Sequence, residues 1–373
     1  MTKHQKHTKL PLRNFGQFAV NEMAFLGSSC SVISTLVNDI SVHLNPLNIA
    51  YIDASHNDEK EEIIINKYTF NKNNTLTVHQ KSKDNSIQHK LIFAEYDLTF
   101  INGNHFQGKK QLIILDEKKE SSLLKRIDQL TDVLCFIKME KNSSIYPFLK
   151  EKFPTIENIP VFDLSEIEQI STFILKEIHQ VTPVLNGLVL VGGKSERMGT
   201  DKSSLEYFGT NQREHLYYLL QKNIAGEVYI SSRKEQDFNH QNIIPDTFVG
   251  LGPIGGICSA FMQHPNNAFL VVATDLPFVD EKLLQLLISK RNSTKIATTF
   301  IGKNNPFPEP LITIWEPKSY PIILQYLSMG YSCPRKILIN SEVELILIDE
   351  NCLRNINTPE EFEQVKKELN KSK

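Results

Sequence analysis

The stretch Leu188-Val189-Leu190-Val191-Gly192-Gly193-Lys194-Ser195-Glu196-Arg197-Met198-Gly199-Thr200-Asp201-Lys202 holds the residues of this chain best suited to chemistry. It reads as a buried strand that empties into a basic, glycine-floored loop. Gly192 and Gly193 let backbone N–H groups approach a phosphate or a base edge with no Cβ in the way, and consecutive amides in a turn make an anion-binding concavity. Arg197 brings a planar fork suited to outer phosphates, and Lys202 a compact charge suited to an α-phosphate under attack. A Gly-Gly pair after a strand is by itself a common tight turn. Arg, Met-Gly and Asp-Lys at fixed offsets from it make this pattern far more specific. Further along, Phe269-Leu270-Val271-Val272-Ala273-Thr274-Asp275-Leu276-Pro277 is an apolar strand ending in a carboxylate. Ligands of open α/β sheets sit beyond the carboxyl ends of strands, so Asp275 is a candidate to hold a hard Mg²⁺ ion together with substrate phosphates. Its competing structural role is a helix N-cap.

Such residues need strand, loop and helix units to position them. Two patterns of that kind occur, at 23–44 and at 185–205, each followed by alternating apolar strands and helical stretches. The alternation predicts an α/β protein with parallel sheets and covering helices. In the first half, strands are expected at 22–26, 48–53, 98–102 and 111–115, and a closing helix at 164–179. The polar stretch 72–88 is expected to be a surface hairpin or loop. A short break containing Pro183 precedes a fresh strand at Leu185, which places the domain boundary at 183/184: domains 1–183, with 1–17 as a flexible tail, and 184–373. No repeat at solenoid periods is present.

The 373-residue length favours two cores over one, and 40% apolar with 23% charged residues is ordinary for globular domains. Lys plus Arg number 41 against 43 Asp plus Glu, so the net field gives no reason to expect nucleic acid or an anionic membrane as partner. Five scattered cysteines, Cys30, Cys135, Cys258, Cys333 and Cys352, show neither a disulfide framework nor structural-zinc spacing and fit a reducing cytoplasm. The polar, basic start lacks the apolar core of a signal peptide, and no later run approaches the ~20 apolar residues of a membrane span.

The segment 188–202 resembles the Leu-Ala-Gly-Gly-x-Ser-x-Arg-Met-Gly-x-Asp-Lys signature of molybdenum cofactor guanylyltransferases, the MobA family, with Val191 in place of the usual Ala. Related cytidylyltransferases typically carry Ala-Ala-Gly and Pro-Lys in these places, so the comparison favours guanine. The family pattern continues in order. Val228 to Arg233 resembles the second nucleotide-side strand, with Ser232 and Arg233 where some members have an Asn that meets base or ribose. Ile244-Pro245-Asp246 and Gly252-Pro253-Ile254-Gly255-Gly256 resemble the stretch over the nucleotide, which makes Asp246 a nucleotide contact. Pro308 to Trp315 resembles the Pro-Leu strand beneath the acceptor, and Asn355-Ile356-Asn357-Thr358-Pro359-Glu360 the closing Asn-x-Asn-Thr-Pro-Glu motif. Thr358 to Glu361 is also a strong helix start, with Thr358 as cap and Pro359 at the first helical position. Asn355 and Asn357 are candidates for pterin contact, Arg335 and Lys336 for phosphate contact.

The resemblance implies a Rossmann-like nucleotidyltransferase domain with a mostly parallel sheet. It implies transfer of GMP from GTP to Mo-molybdopterin, with Arg197, Lys202 and Asp275 as catalytic groups and Mg²⁺ on Asp275. The nucleotide and cofactor would meet Leu190, Val191, Gly192, Gly193, Lys202, Arg233, Asp246, Asp275, Asn355 and Asn357. No protein nucleophile is required, because the acceptor phosphate is already ionised near neutral pH. The alternatives are a transferase using CTP or a sugar 1-phosphate acceptor, and a non-catalytic nucleotide-binding adapter.

In the first half, Met23-Ala24-Phe25-Leu26-Gly27-Ser28-Ser29-Cys30-Ser31-Val32-Ile33-Ser34-Thr35 has the layout of a P-loop without its charge, since Val32 and Ile33 stand where a working loop has Gly and Lys. Residues 49–56 and 96–105 resemble the second strand and the Val-Glu-Gly turn of MobB, the GTP-binding adapter of the same pathway, with Asn102 where that family usually has an acid. The resemblance implies a degenerate P-loop domain over about 18–180, with molybdoenzyme clients or cofactor-delivery proteins as its kind of partner. His56 and His105 read as solvated loop histidines rather than metal ligands.

Overall fold

The computed structural model describes residues 9–55, 65–73, 75–81, 85–180, 182–191, 202–233 and 242–371. The chain folds as two compact α/β units, Phe15–Gln180 and Val181–Lys373, the second taking in the described residues 9–14. Within the segment expected as a tail, Asn14 donates its backbone N–H to Asn266, whose amide returns a bond to the Leu12 carbonyl.

In the first unit the strands are β1 (Glu22–Leu26), β2 (Ile49–Ile52), β3 (Lys67–Phe70), β4 (Leu76–His79), β5 (Leu98–Asn102), β6 (Lys110–Leu115), β7 (Val133–Lys138) and β8 (Val161–Asp163). Six of them form a parallel sheet in the order β2-β5-β1-β6-β7-β8. β1 and β5 are buried along their whole length, as strands of a parallel sheet covered on both faces are, with the polar Glu22, Thr99 and Asn102 among the apolar residues. The helices are α1 (Cys30–His43), α2 (Ser86–Phe93), α3 (Glu120–Leu124), α4 (Pro147–Lys152) and α5 (Ile167–Gln180). α1 buries Ile33, Leu36, Val37 and Ile40, a helical stripe that meets Ile170, Ile174 and Ile178 of α5 over Phe25 and Phe100. β3 and β4 pair as an exposed antiparallel hairpin covering part of the polar stretch. β7 and β8 add to the expected strands, because a short apolar run such as Val133 to Ile137 does not reveal its period. The buried Glu22 carboxylate accepts backbone N–H bonds from Gln17, Phe18, Ala19 and Lys109, which pins the entry to β1.

In the second unit the strands are β9 (Leu185–Leu190), β10 (Val228–Ser232), β11 (Ile243–Pro245), β12 (Ala268–Ala273), β13 (Ala297–Gly302), β14 (Pro308–Trp315) and β15 (Val343–Ile348), in the order β11-β10-β9-β12-β14-β13-β15. Among the described strands of this sheet only β14 opposes its neighbours; the other pairings are parallel. The helices are α6 (Gln212–Asn223), α7 (Pro253–Gln263), α8 (Glu281–Ser289), α9 (Ser319–Ser328), α10 (Pro334–Ile339) and α11 (Pro359–Lys371). The two faces of the sheet carry separate apolar clusters, Val189, Leu270 and Ile314 on one and Leu188, Phe269 and Trp315 on the other. This is the alternation a pleated strand imposes when both faces are covered. Among the described residues no helix is long and apolar enough to cross a membrane.

Candidate active site

β9, β10, β11 and β12 run parallel, so their carboxyl ends open on one edge of the sheet. The chain order reverses between β9 and β12, the place where an open α/β sheet leaves a crevice. Leu190 ends β9 there and Val191 follows it. The Leu190 carbonyl accepts from Thr274 N at 3.4 Å, which ties the exit of β12 to the exit of β9. On the other side, Val191 N donates to Ser231 O at 3.4 Å, and Asp246 N to Ser232 O at 2.8 Å.

Asp275 lies two residues past the end of β12, and its carbonyl accepts from Ile356 N at 3.0 Å, which brings the segment of Asn355 and Asn357 against it. The helix-cap role belongs to a different residue: Asp280 caps α8, its side chain accepting from Leu283 N at 2.8 Å. β12 and β14 pair antiparallel with Val272 opposite Ile312, and continuing that register brings Glu309 across from Asp275. Glu309 is buried, with Leu311 N donating to one carboxylate oxygen at 3.1 Å and Arg335 to the other at 3.1 Å. Burial pushes the Glu309 carboxyl above its ordinary range and the charge of Asp275 adds to the push; Leu311 N–H and Arg335 pull the other way without cancelling it. The Tyr207 phenol is raised by burial first and then by Asp275, so its hydroxyl keeps its proton. Asn355 Oδ1 is buried with no hydrogen-bond partner among the described residues.

At the β10–β11 side, Ser231 donates its hydroxyl to Asp246 at 2.5 Å. Burial raises the Asp246 carboxyl, opposed by that hydrogen bond and by the charge of Arg233. Gly256, in α7, is where a Cβ would collide with Ser231 Oγ and crowd Leu190. The glycine therefore lets α7 lie close over the ends of β9 and β10.

The structure thus gathers Leu190, Val191, Arg233, Asp246, Asp275 and Asn355 along one edge. Gly192, Gly193 and Arg197, and the side chain of Lys202, lie outside the described residues, as does His56. Asn357 is on the surface, where its backbone N–H donates to Glu361 at 2.7 Å as part of the start of α11. Arg335, expected to meet phosphate, is instead engaged by Glu309 and by the Pro308 carbonyl, and the Lys336 ammonium lies 5.7 Å from the centre of the Tyr331 ring. Sequence reasoning missed Glu309, Tyr207 and Ser231. For Glu309 the signal was an acid between two prolines at the mouth of an apolar strand; Tyr207 and Ser231 gave none.

A family model described as the MobA-like NTP transferase domain matches residues 187–343. A molybdenum cofactor biosynthesis bifunctional protein of Synechocystis sp. is 32% identical over 186 residues, 48% of this chain and 53% of that protein. The chain spans about half the length of that relative. A probable molybdenum cofactor guanylyltransferase of Flavobacterium johnsoniae is 29% identical over 181 residues, 48% of this chain and 94% of that protein. The molybdenum cofactor guanylyltransferase of Campylobacter jejuni subsp. jejuni is 30% identical over 192 residues, 50% of this chain and 97% of that protein. With a relative at this identity matched along nearly its whole length, on top of the domain match, the chain belongs to the molybdenum cofactor guanylyltransferase family of nucleotidyltransferases.

Proposed function

We propose that the second unit joins the GMP moiety of GTP to Mo-molybdopterin, forming the guanine dinucleotide cofactor and releasing pyrophosphate. The observation that carries this reading is Asp275 at the β9/β12 switch point, opposed by Glu309 and bordered by the Asn355 segment. MobA-like nucleotidyltransferases generally use a divalent metal, and the oxygen donors here fit a hard cation. Two carboxylates close enough for one to raise the proton affinity of the other gain from a cation beside them. A bound Mg²⁺ would supply charge neutralisation at the α-phosphate and the leaving pyrophosphate.

The chain's own residues position and compensate. Leu190, Val191, Gly192 and Gly193 form the floor on which the guanine nucleotide lies, with Asp246 and Arg233 at its flank. Arg197 meets the outer phosphates and Lys202 the α-phosphate, so negative charge that grows during in-line attack meets fixed positive charge. Asn355 and Asn357 orient the pterin, and the protonated Tyr207 hydroxyl is a donor close to Asp275. The attacking oxygen belongs to the acceptor phosphate and needs no general base.

In the first unit, α1 begins at Cys30, leaving only Gly27, Ser28 and Ser29 between β1 and the helix. That is too short to cradle a triphosphate, and we assign this unit a delivery or docking role toward cofactor carriers or molybdoenzymes in the cytoplasm. Incubation of the purified chain with GTP, magnesium and molybdopterin should yield pyrophosphate and a guanine dinucleotide. Pyrophosphate from CTP but not GTP would sink the guanine assignment; no turnover with either would leave a binding adapter.

A further inference from the structure

Three side chains that the transfer chemistry does not use converge in the first unit. Cys30 opens α1 just after β1, Asp53 follows β2, and His105 follows β5. β2, β5 and β1 are neighbours in the sheet and run parallel, so all three residues leave at its carboxyl-terminal edge. Cys30 Sγ lies 3.2 Å from His105 Nε2, and Asp53 Oδ1 lies 3.9 Å from the same nitrogen. One ligand atom from each residue falls within 4.8 Å of the others, which suits donors arranged around a single ion.

The surroundings fix these donors. Asp53 accepts from Tyr51 Oη at 2.9 Å, from Asn102 Nδ2 at 2.8 Å and from Ala54 N at 2.8 Å. Asn102 is fully buried and accepts in turn from Asn104 N at 3.1 Å. Asn104 donates its side-chain amide to the Ser28 carbonyl at 2.8 Å and reaches Cys30 Sγ at 3.8 Å. Burial works to raise the Asp53 carboxyl, but the bonds from Asn102, Tyr51 and Ala54 prevail and hold it below the ordinary carboxylate range. Cys30 occupies the first turn of a 14-residue helix capped by Ser29, which fixes where its side chain leaves the backbone.

Two other readings of the trio fail on geometry. In a Cys-His-Asp relay the acid holds the ring nitrogen opposite the thiol. Here thiol and carboxylate both approach Nε2, the arrangement of co-ligands. A phosphate-bound magnesium site would present hydroxyl and carboxylate oxygens, whereas sulfur, imidazole and one carboxylate select a borderline ion.

We propose that Cys30, Asp53 and His105 form a three-ligand site for a divalent transition-metal ion of the zinc type, with the fourth position of a tetrahedral shell left to water or an exogenous ligand. The loop that lost its triphosphate cradle thereby gains a metal site on the same sheet edge. Asn102 acts as a positioning residue through Asp53, the kind of outer contact whose loss weakens metal affinity about 10–100-fold.

The test uses the full chain, stripped with chelator and titrated with Co²⁺ as a spectroscopic stand-in for Zn²⁺. One Co²⁺ per chain, with thiolate-to-cobalt charge-transfer absorption displaced by Zn²⁺, is expected. Cys30→Ser should remove that absorption while Cys333→Ser retains it. His105→Ala and Asp53→Asn should weaken binding at least about tenfold, and Asn102→Ala about 10–100-fold. In the unsubstituted chain, Zn²⁺ should also protect Cys30 from alkylation as read by peptide mass, a measurement that stands if the Cys30 variant does not fold. Charge-transfer absorption surviving in Cys30→Ser, no stoichiometric cobalt uptake, or Cys30 alkylation indifferent to Zn²⁺ would each overturn the site. None of these readouts depends on guanylyl transfer by the other unit.

Discussion

Asp275, just past the end of β12, and Glu309, on the neighbouring β14, are close enough to interact but serve different ends. Asp275 lies at the crevice with its backbone anchored by Ile356, while the Glu309 carboxylate is taken up by Leu311 N–H and Arg335. Asp275→Asn keeps shape and removes charge, so turnover should fall on the order of 10²–10³-fold, as when a preorganised transition-state contact is lost, with the melting temperature unchanged. Unchanged turnover in a steady-state pyrophosphate assay would remove Asp275 from the mechanism. Glu309 makes a prediction about pH. Its carboxyl is raised in the folded protein above the ordinary value of 4.5, so the folded state holds the proton more tightly than the unfolded chain. That contribution to stability is present in full below about 4.5 and is lost as pH climbs through the higher folded value. Stability of the parent relative to Glu309→Gln should therefore decline over that rise, measured by denaturant unfolding at a series of pH values. A difference that stays flat or grows with pH would contradict the assignment.

Among the elements, α7 and α11 show two ways in which local sequence sets the site. α7 reaches the ends of β9 and β10 because Gly256 has no Cβ to strike Ser231 and Leu190. Gly256→Ala should cost about 1–3 kcal/mol, as overpacking does, and should weaken nucleotide binding along with stability. Wild-type unfolding in that variant would mean that the helix shifts freely. α11 begins with a reciprocal cap: Glu361 N donates to Thr358 Oγ1 at 3.3 Å and Thr358 N to Glu361 Oε2 at 3.2 Å. This is the pattern read from Thr358-Pro359-Glu360-Glu361, and it fixes the direction in which the Asn355 segment passes Asp275. Thr358→Ala should lower stability by about 1 kcal/mol in thermal unfolding.

At the scale of the whole molecule, each unit has its own apolar core and its own sheet. In the second unit a deeply buried ion pair joins the end of β14 to the stretch before β9. Arg291 meets Glu316 through two bonds of 2.6 and 2.9 Å and donates to the Pro183 carbonyl at 2.8 Å, and Glu316 is 0% exposed. Arg291→Ala strands that carboxylate and should cost about 3–5 kcal/mol by chemical denaturation; a loss under 1 kcal/mol, the range of exposed pairs, would show that water reaches Glu316.

The order of chemistry along the chain was legible without coordinates. Asp275 was singled out because an apolar run that ends in a carboxylate marks the exit of a strand, whereas Leu190 and Asp246 were named through the resemblance of their segments to the family signature. The cap at Thr358 was legible because capping is local, confined to four consecutive residues. Tertiary structure alone decided which strand ends are neighbours. The antiparallel insertion of β14 beside β12 brings Glu309 across from Asp275, residues 34 positions apart by their numbers, and gives Glu309 its bond from Arg335. It also brought Cys30, Asp53 and His105 together, although no short spacing joins them and the histidine reads from sequence as merely solvated. Strand register and order depend on packing between distant segments, and no local pattern of residue types encodes that packing.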